Sequence, residues 1–186
     1  MAELAAAQAR TQEELSLLSR EMRAFKDESE ASGKRLDRSM GELANKLGRL
    51  VEDIVSPGLP TVFRQIVGLA EEEPVESAMR VRRRHPRDPG RMAEYDVIVK
   101  GAGRLLVCET RSTLRPEDLD PFMAKLAECR ALLPEAEGCA VLGAFASFVL
   151  DDSLTTAVSR KGLVVIGLGT GLLVVRNPKG FSPREF

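Results

Sequence analysis

Apolar residues recur at heptad spacing through the first third of the chain and at strand-like spacing after it. Leu15, Met22, Leu36, Leu43 and Leu50 share one seam position with Ser29, while Leu18 and Phe25 occupy the other. That second position continues as Ser32, Ser39 and Lys46, so the pattern predicts a coiled coil that is strong early and weak around Ser29 to Ser32. Beyond it, Leu43, Leu47, Leu50 and Ile54 form a broader stripe, the kind a helix packed on a domain carries. Residues 1–55 hold no proline and are rich in Ala, Leu, Glu, Lys and Arg, all good helix formers. Ser56-Pro57-Gly58-Leu59-Pro60 predicts the stop of that helix, followed by a short helix over 61–69 and a loop at Glu71 to Pro74.

From there the period shortens. Ser77 to Arg84 predicts a charged outer strand. Glu94 to Val99 and Arg104 to Arg111 are two apolar, β-branched runs around Lys100-Gly101-Ala102-Gly103, which predicts a hairpin. Pro116 to Leu133 is an amphipathic helix through Leu119, Phe122, Leu126, Cys129 and Leu133. Cys139 to Phe148 is apolar throughout, as a central buried strand is. Asp151 caps a further helix through Ser159, and Gly162 to Ile166 and Leu172 to Val175 are the last strands. The glycine-rich 167–171 between them predicts a tight turn. This order is that of an α/β layered core.

Composition narrows the chemistry. With 27 basic and 28 acidic side chains the net charge is −1, so nucleic-acid binding would need a local patch. No apolar run approaches the roughly 20 residues of a membrane span, and the start Met1-Ala2-Glu3 is unlike a signal peptide; a cytoplasmic protein is expected. Cys108, Cys129 and Cys139 lack metal spacing and predict buried free thiols. The single histidine, His85, lies in an Arg- and Pro-rich turn, a poor place to orient a catalytic base. Neither GxxxxGK nor GxGxxG occurs.

The remaining signal is acidic. Asp96 and Glu109 each interrupt an apolar strand, where an unpaired charge is costly. Placing Val99 opposite Arg104 sets Asp96 opposite Val107, with Glu109 its diagonal neighbour on the same face, roughly 7 Å away. Two carboxylates at that separation can share Mg²⁺ or Mn²⁺. A slip of one residue would separate them.

Asp96, a hairpin, then Glu109-Thr110-Arg111 resembles the PD-(D/E)XK nuclease superfamily. The continuation Ser112-Thr113-Leu114-Arg115-Pro116-Glu117-Asp118 is similar to an uncharacterised bacterial family that joins an N-terminal coiled coil to such a domain. The resemblance covers roughly Leu36 to the C-terminus. It implies a restriction-endonuclease-like core, a central mixed sheet flanked by helices, over 48–186, preceded by an oligomerising coiled coil over 1–47. It further implies Asp96 and Glu109 as metal ligands, with the Thr110 carbonyl as a third oxygen and Glu52 as an additional helical acid. The implied activity is Mg²⁺-dependent cleavage of DNA phosphodiesters. Arg111 stands where the family has a lysine, and a guanidinium cannot act as a general base. The alternatives are an inactive nuclease-fold protein that binds DNA or acts as a scaffold, and a coiled-coil adaptor whose globular part binds protein.

Arg80, Arg82, Arg83, Arg84 and Arg87, with His85 and Arg91, cluster around a turn containing Pro86, Pro89 and Gly90. Such a tip could contact phosphates without reading sequence, or it could be a solvated loop balanced by Glu71 to Glu73. Few aromatics accompany it, so base stacking is not expected. The expected partners are DNA and further copies of the chain, with no membrane.

Overall fold

A single helix, α1 (Ala2–Val67), opens the protein and runs straight through the segment expected to end it, with Pro57 and Pro60 inside. The computed structural model describes residues 2–86, 88–169 and 172–186, and the chain divides into two units, Met1–Lys46 and Leu47–Phe186. Each interior proline costs about 3 kcal/mol. Against that, Val55, Leu59, Val62 and Phe63 are at most 2 % exposed, and each such side chain contributes roughly 1.5–3 kcal/mol. Packing therefore outweighs the two prolines. The glycine between them allows a close approach, since a Cβ on Gly58 would lie 2.8 Å from a Leu173 methyl.

The second unit is mixed α/β. After α1 come β1 (Glu76–His85), β2 (Asp88–Gly101), β3 (Arg104–Thr113), α2 (Leu119–Leu132), β4 (Ala140–Val149), α3 (Asp152–Arg160), β5 (Val164–Gly169) and β6 (Leu172–Val175). They form one six-stranded sheet in the order β1-β2-β3-β4-β5-β6. The strands pair antiparallel from β1 to β3, parallel from β3 to β5, and antiparallel again at β6. The two parallel steps require crossovers, which α2 and α3 supply. Asp151 caps α3 as expected, accepting from the backbone of Ser153 and Leu154. The expected β5–β6 turn residues Thr170 and Gly171 lie outside the described residues.

Both faces of the sheet are covered. On one, Val51, Val55, Leu59, Val62 and Phe63 of α1 meet Val97, Val99, Leu106, Leu142, Ala144 and Ile166. On the other, α2 and α3 bring Leu119, Phe122, Leu126, Leu154 and Val158 onto Ile98, Leu105, Val107, Phe145 and Val165. The stripe expected to pack on the domain is thus corrected. Leu43, Leu47, Leu50 and Ile54 are exposed, and the neighbouring line through Val51 and Val55 makes the contact. Cys108, Cys129 and Cys139 are free and buried. No helix among the described residues is long and apolar enough to cross a membrane.

The β2–β3 hairpin also departs from its expected register. Its ladder continues to Gly101 opposite Arg104, leaving only Ala102 and Gly103 as the turn. Both have positive φ, 45° and 69°, the backbone that a two-residue turn requires to match strand twist. An alanine accepts this conformation without the usual Asn-Gly or Asp-Gly signal, which is why the sequence suggested a four-residue connection.

Candidate functional site

The corrected register brings the two acids closer than expected. Val97 pairs with Cys108 and Ile98 with Val107; extended by one pair, the ladder sets Asp96 directly opposite Glu109. The shift is by two residues, so both side chains keep the shared face. At this point the Asp96 side chain takes over the strand pairing. Its Oδ2 accepts the Thr110 backbone N–H at 2.7 Å and the Thr110 hydroxyl at 3.0 Å.

Glu109 is 6 % exposed and lies between two cations. Arg111 Nη2 is 2.9 Å from Oε1, and Lys125 Nζ of α2 donates to Oε2 at 2.5 Å. Arg111 continues outward to Asp118, Nε donating to Oδ1 at 3.1 Å, and its Nη1 donates to the Thr110 carbonyl at 2.8 Å while lying 3.9 Å from Asp96. Asp118 is itself fixed by the Arg115 backbone N–H at 2.9 Å. Lys125 also sits 5.6 Å from the centroid of the buried Tyr95 ring, a cation–π distance. Below the cluster, the buried Ser147 hydroxyl accepts the Leu114 N–H and donates to the Val149 carbonyl, tying the ends of β3 and β4 together.

Burial, reinforced by the Asp96 charge, raises the Glu109 carboxyl above the usual glutamate value in spite of Lys125 and Arg111. Burial works to lower the Arg111 guanidinium, but Glu109, Asp118 and Asp96 more than reverse it. Burial pushes the neighbouring Cys108 thiol well up, and Asp96 and Glu109 add to the effect.

Lys125 and Asp118 were not recognised as site residues from sequence. Both stand on the line 118, 122, 125, 129, where Phe122 and Cys129 are buried. A charge interrupting an apolar helix face was the available signal, the same signal that marked Asp96 and Glu109 on their strands.

Protein donors already meet the expected ligands. Asp96 Oδ2, both Glu109 oxygens and the Thr110 carbonyl each already meet a protein donor. The Arg111 guanidinium lies within 3.9 Å of Asp96, Glu109 and Asp118, in the space such an ion would need. Among the described residues no group of three or more His, Cys, Asp or Glu is placed to hold a metal. Glu52 is not part of the cluster's ion pairs. It accepts from Arg80 Nε at 2.6 Å, and Asp53 accepts from Arg80 Nη2 at 2.7 Å.

Those two bonds hold Arg80 at φ 53° on the edge strand β1, an irregularity that, with its charges, discourages strand addition. Three further arginines of the patch are also tied to acids. Arg82 pairs with Glu94 at 3.1 Å, Arg83 with Glu135, and Arg91 with Glu128 at 2.7 Å. Balance comes from these acids and not from Glu71 to Glu73. Arg84 is exposed, and Arg87 lies outside the described residues.

No family model, curated protein or solved structure matches this chain.

Proposed function

We propose that this chain is a nuclease-like protein whose site has become a self-neutralised ion-pair cluster, acting as a self-associating scaffold module and not as a hydrolase. The observation that carries this reading is the Arg111 guanidinium among Asp96, Glu109 and Asp118. Three carboxylates and two protein cations leave a residual charge of −1, and each carboxylate already meets two protein donors. The restriction-endonuclease-like core belongs to the same proposal, supported by the order helix, three antiparallel strands, helix, parallel strand. Pairing of most of the patch arginines with acids favours scaffolding over DNA binding. Three unpaired thiols suit a reducing, cytoplasmic compartment.

The test is incubation of the full chain with plasmid and single-stranded DNA in Mg²⁺ or Mn²⁺, beside thermal melts with and without the metals. The expected result is intact DNA and unmoved melting, since an ion bound only by the folded state would stabilise it by mass action. Cleavage that disappears in Asp96→Asn would overturn the proposal.

A second reading, hydrolysis of DNA phosphodiesters, is favoured by one contact. Lys125 reaches Glu109 and, unlike Arg111, can exchange a proton. Under it the lysine expected on β3 has its counterpart on α2. Lys125→Met would then abolish cleavage, and Arg111→Lys would raise it.

A further inference from the structure

The first unit carries two apolar stripes, not one. Leu15, Leu18, Met22 and Phe25 step by three and four residues, and so do Leu36, Met40 and Leu43. Each is at least 53 % exposed among the described residues. Leu36 and Leu43 continue the seam position of Leu15 and Met22, but Met40 does not continue that of Leu18 and Phe25. Ser32 to Leu36 and Leu36 to Met40 are two consecutive steps of four, which is a heptad pattern with four residues inserted. Continuing the first register would bring Ser39 and Lys46 into the seam; the four-residue insertion brings Met40 in instead. Between the stripes lie Ser29, Ser32 and Gly33, small enough for the close, locally unwound packing such an insertion produces.

We infer that α1 docks on a second copy of this chain through a seam that changes register between Ser32 and Met40. The proposal rests on the self-association in the reading above and specifies its surface. Alternating three- and four-residue steps are what a second helix wound around the first requires, while a helix lying on a globular surface follows a 3.6-residue period. The seam is self-complementary in charge. Lys26, exposed beside Phe25 and 3.9 Å from Glu30 of its own helix, would also meet Glu21 of the other copy if the helices run parallel and Asp37 if they run antiparallel. The area is adequate as well. At roughly 60–120 Å² for each buried side chain, seven from each copy remove on the order of 800–1,700 Å², a range that overlaps the ~1,200–2,000 Å² of a stable interface.

The test is light scattering of the full chain and of single variants, with circular dichroism to show that each stays folded. Leu18→Glu and Met40→Glu should each shift the mass to that of a monomer, while Ser39→Glu should leave it unchanged. Dissociation by Ser39→Glu, alone or together with Met40→Glu, would show that no register change occurs and overturn the inference while self-association stands. An oligomer that survives Leu18→Glu and Met40→Glu would place the contact elsewhere and overturn the inference in the same way. A wild-type chain monomeric at every concentration would remove the self-association reading itself.

Discussion

The two faces of the sheet are built from the same strands and solve different problems. The α1 face is apolar from Val51 to Phe63 on the helix and from Val97 to Ile166 on the strands. The α2 face is as apolar beneath Phe122 and Leu126, but it ends in Asp96, Glu109, Asp118, Arg111 and Lys125. Alternation along β2 and β3 separates the two by a single residue. Val97 and Cys108 face α1, while Asp96 and Glu109 beside them face the charges. A carboxylate is tolerated on one face because partners from β3 and α2 converge on it, and the other face has none to offer.

The sharpest way to break that comparison is to put a carboxylate on the wrong side. Val97→Asp would bury an acid with no partner, and a loss above about 4 kcal/mol is expected, read as collapse of the urea midpoint. The next effect comes from removing a partner on the charged side. Lys125→Ala should cost about 3 kcal/mol because Glu109 is left under-compensated, whereas Glu109→Leu combined with Lys125→Met should recover most of that loss. A double variant no more stable than the single would mean that the pair itself, and not relief of buried charge, sustains this corner.

Packing on the same face supplies a smaller effect. A Cβ on Gly143 would lie 2.5 Å from one Leu126 methyl and 2.6 Å from one of Leu163. Gly143→Ala should therefore cost about 1–3 kcal/mol, visible as a lower melting temperature with the sheet intact by circular dichroism.

The gentlest probe is pH. Glu109 has its folded-state value raised, chiefly by burial. Its contribution is thus fully present below the unfolded value of about 4.3 and is lost as pH rises through the folded value. Glu109→Gln should remove that downward slope of stability with pH. An unchanged slope in denaturant melts would assign it to another group.

Much of this contrast was legible in the chain. Alternation around Asp96 and Glu109 placed both on one face even though the register was off by two, because a shift of two preserves parity. The exact opposition depended on Ala102 accepting a positive φ, which residue type does not advertise. Pro57 and Pro60 read as a stop because local propensity is visible in sequence and the sheet that overrides it is not. Lys125 was missed for a similar reason. It is 16 residues from Glu109 along the chain, and only the crossover of α2 over β3 joins them.

The two-residue turn at Ala102–Gly103 also bears on the order in which the molecule assembles. Hairpins close in about 1–10 μs, whereas β3 and β4 can pair only after the chain between them has crossed back. The Asp96–Glu109 apposition is therefore an early event, and the docking of α2, which delivers Lys125 and Asp118, a later one. During that interval the nascent hairpin holds two facing acids without Lys125. Raising pH through the carboxylate range should consequently slow refolding in stopped-flow measurements, and Glu109→Gln should abolish the effect. The chain meets this repulsion with Arg111 as its single nearby cation and reaches Lys125 only later.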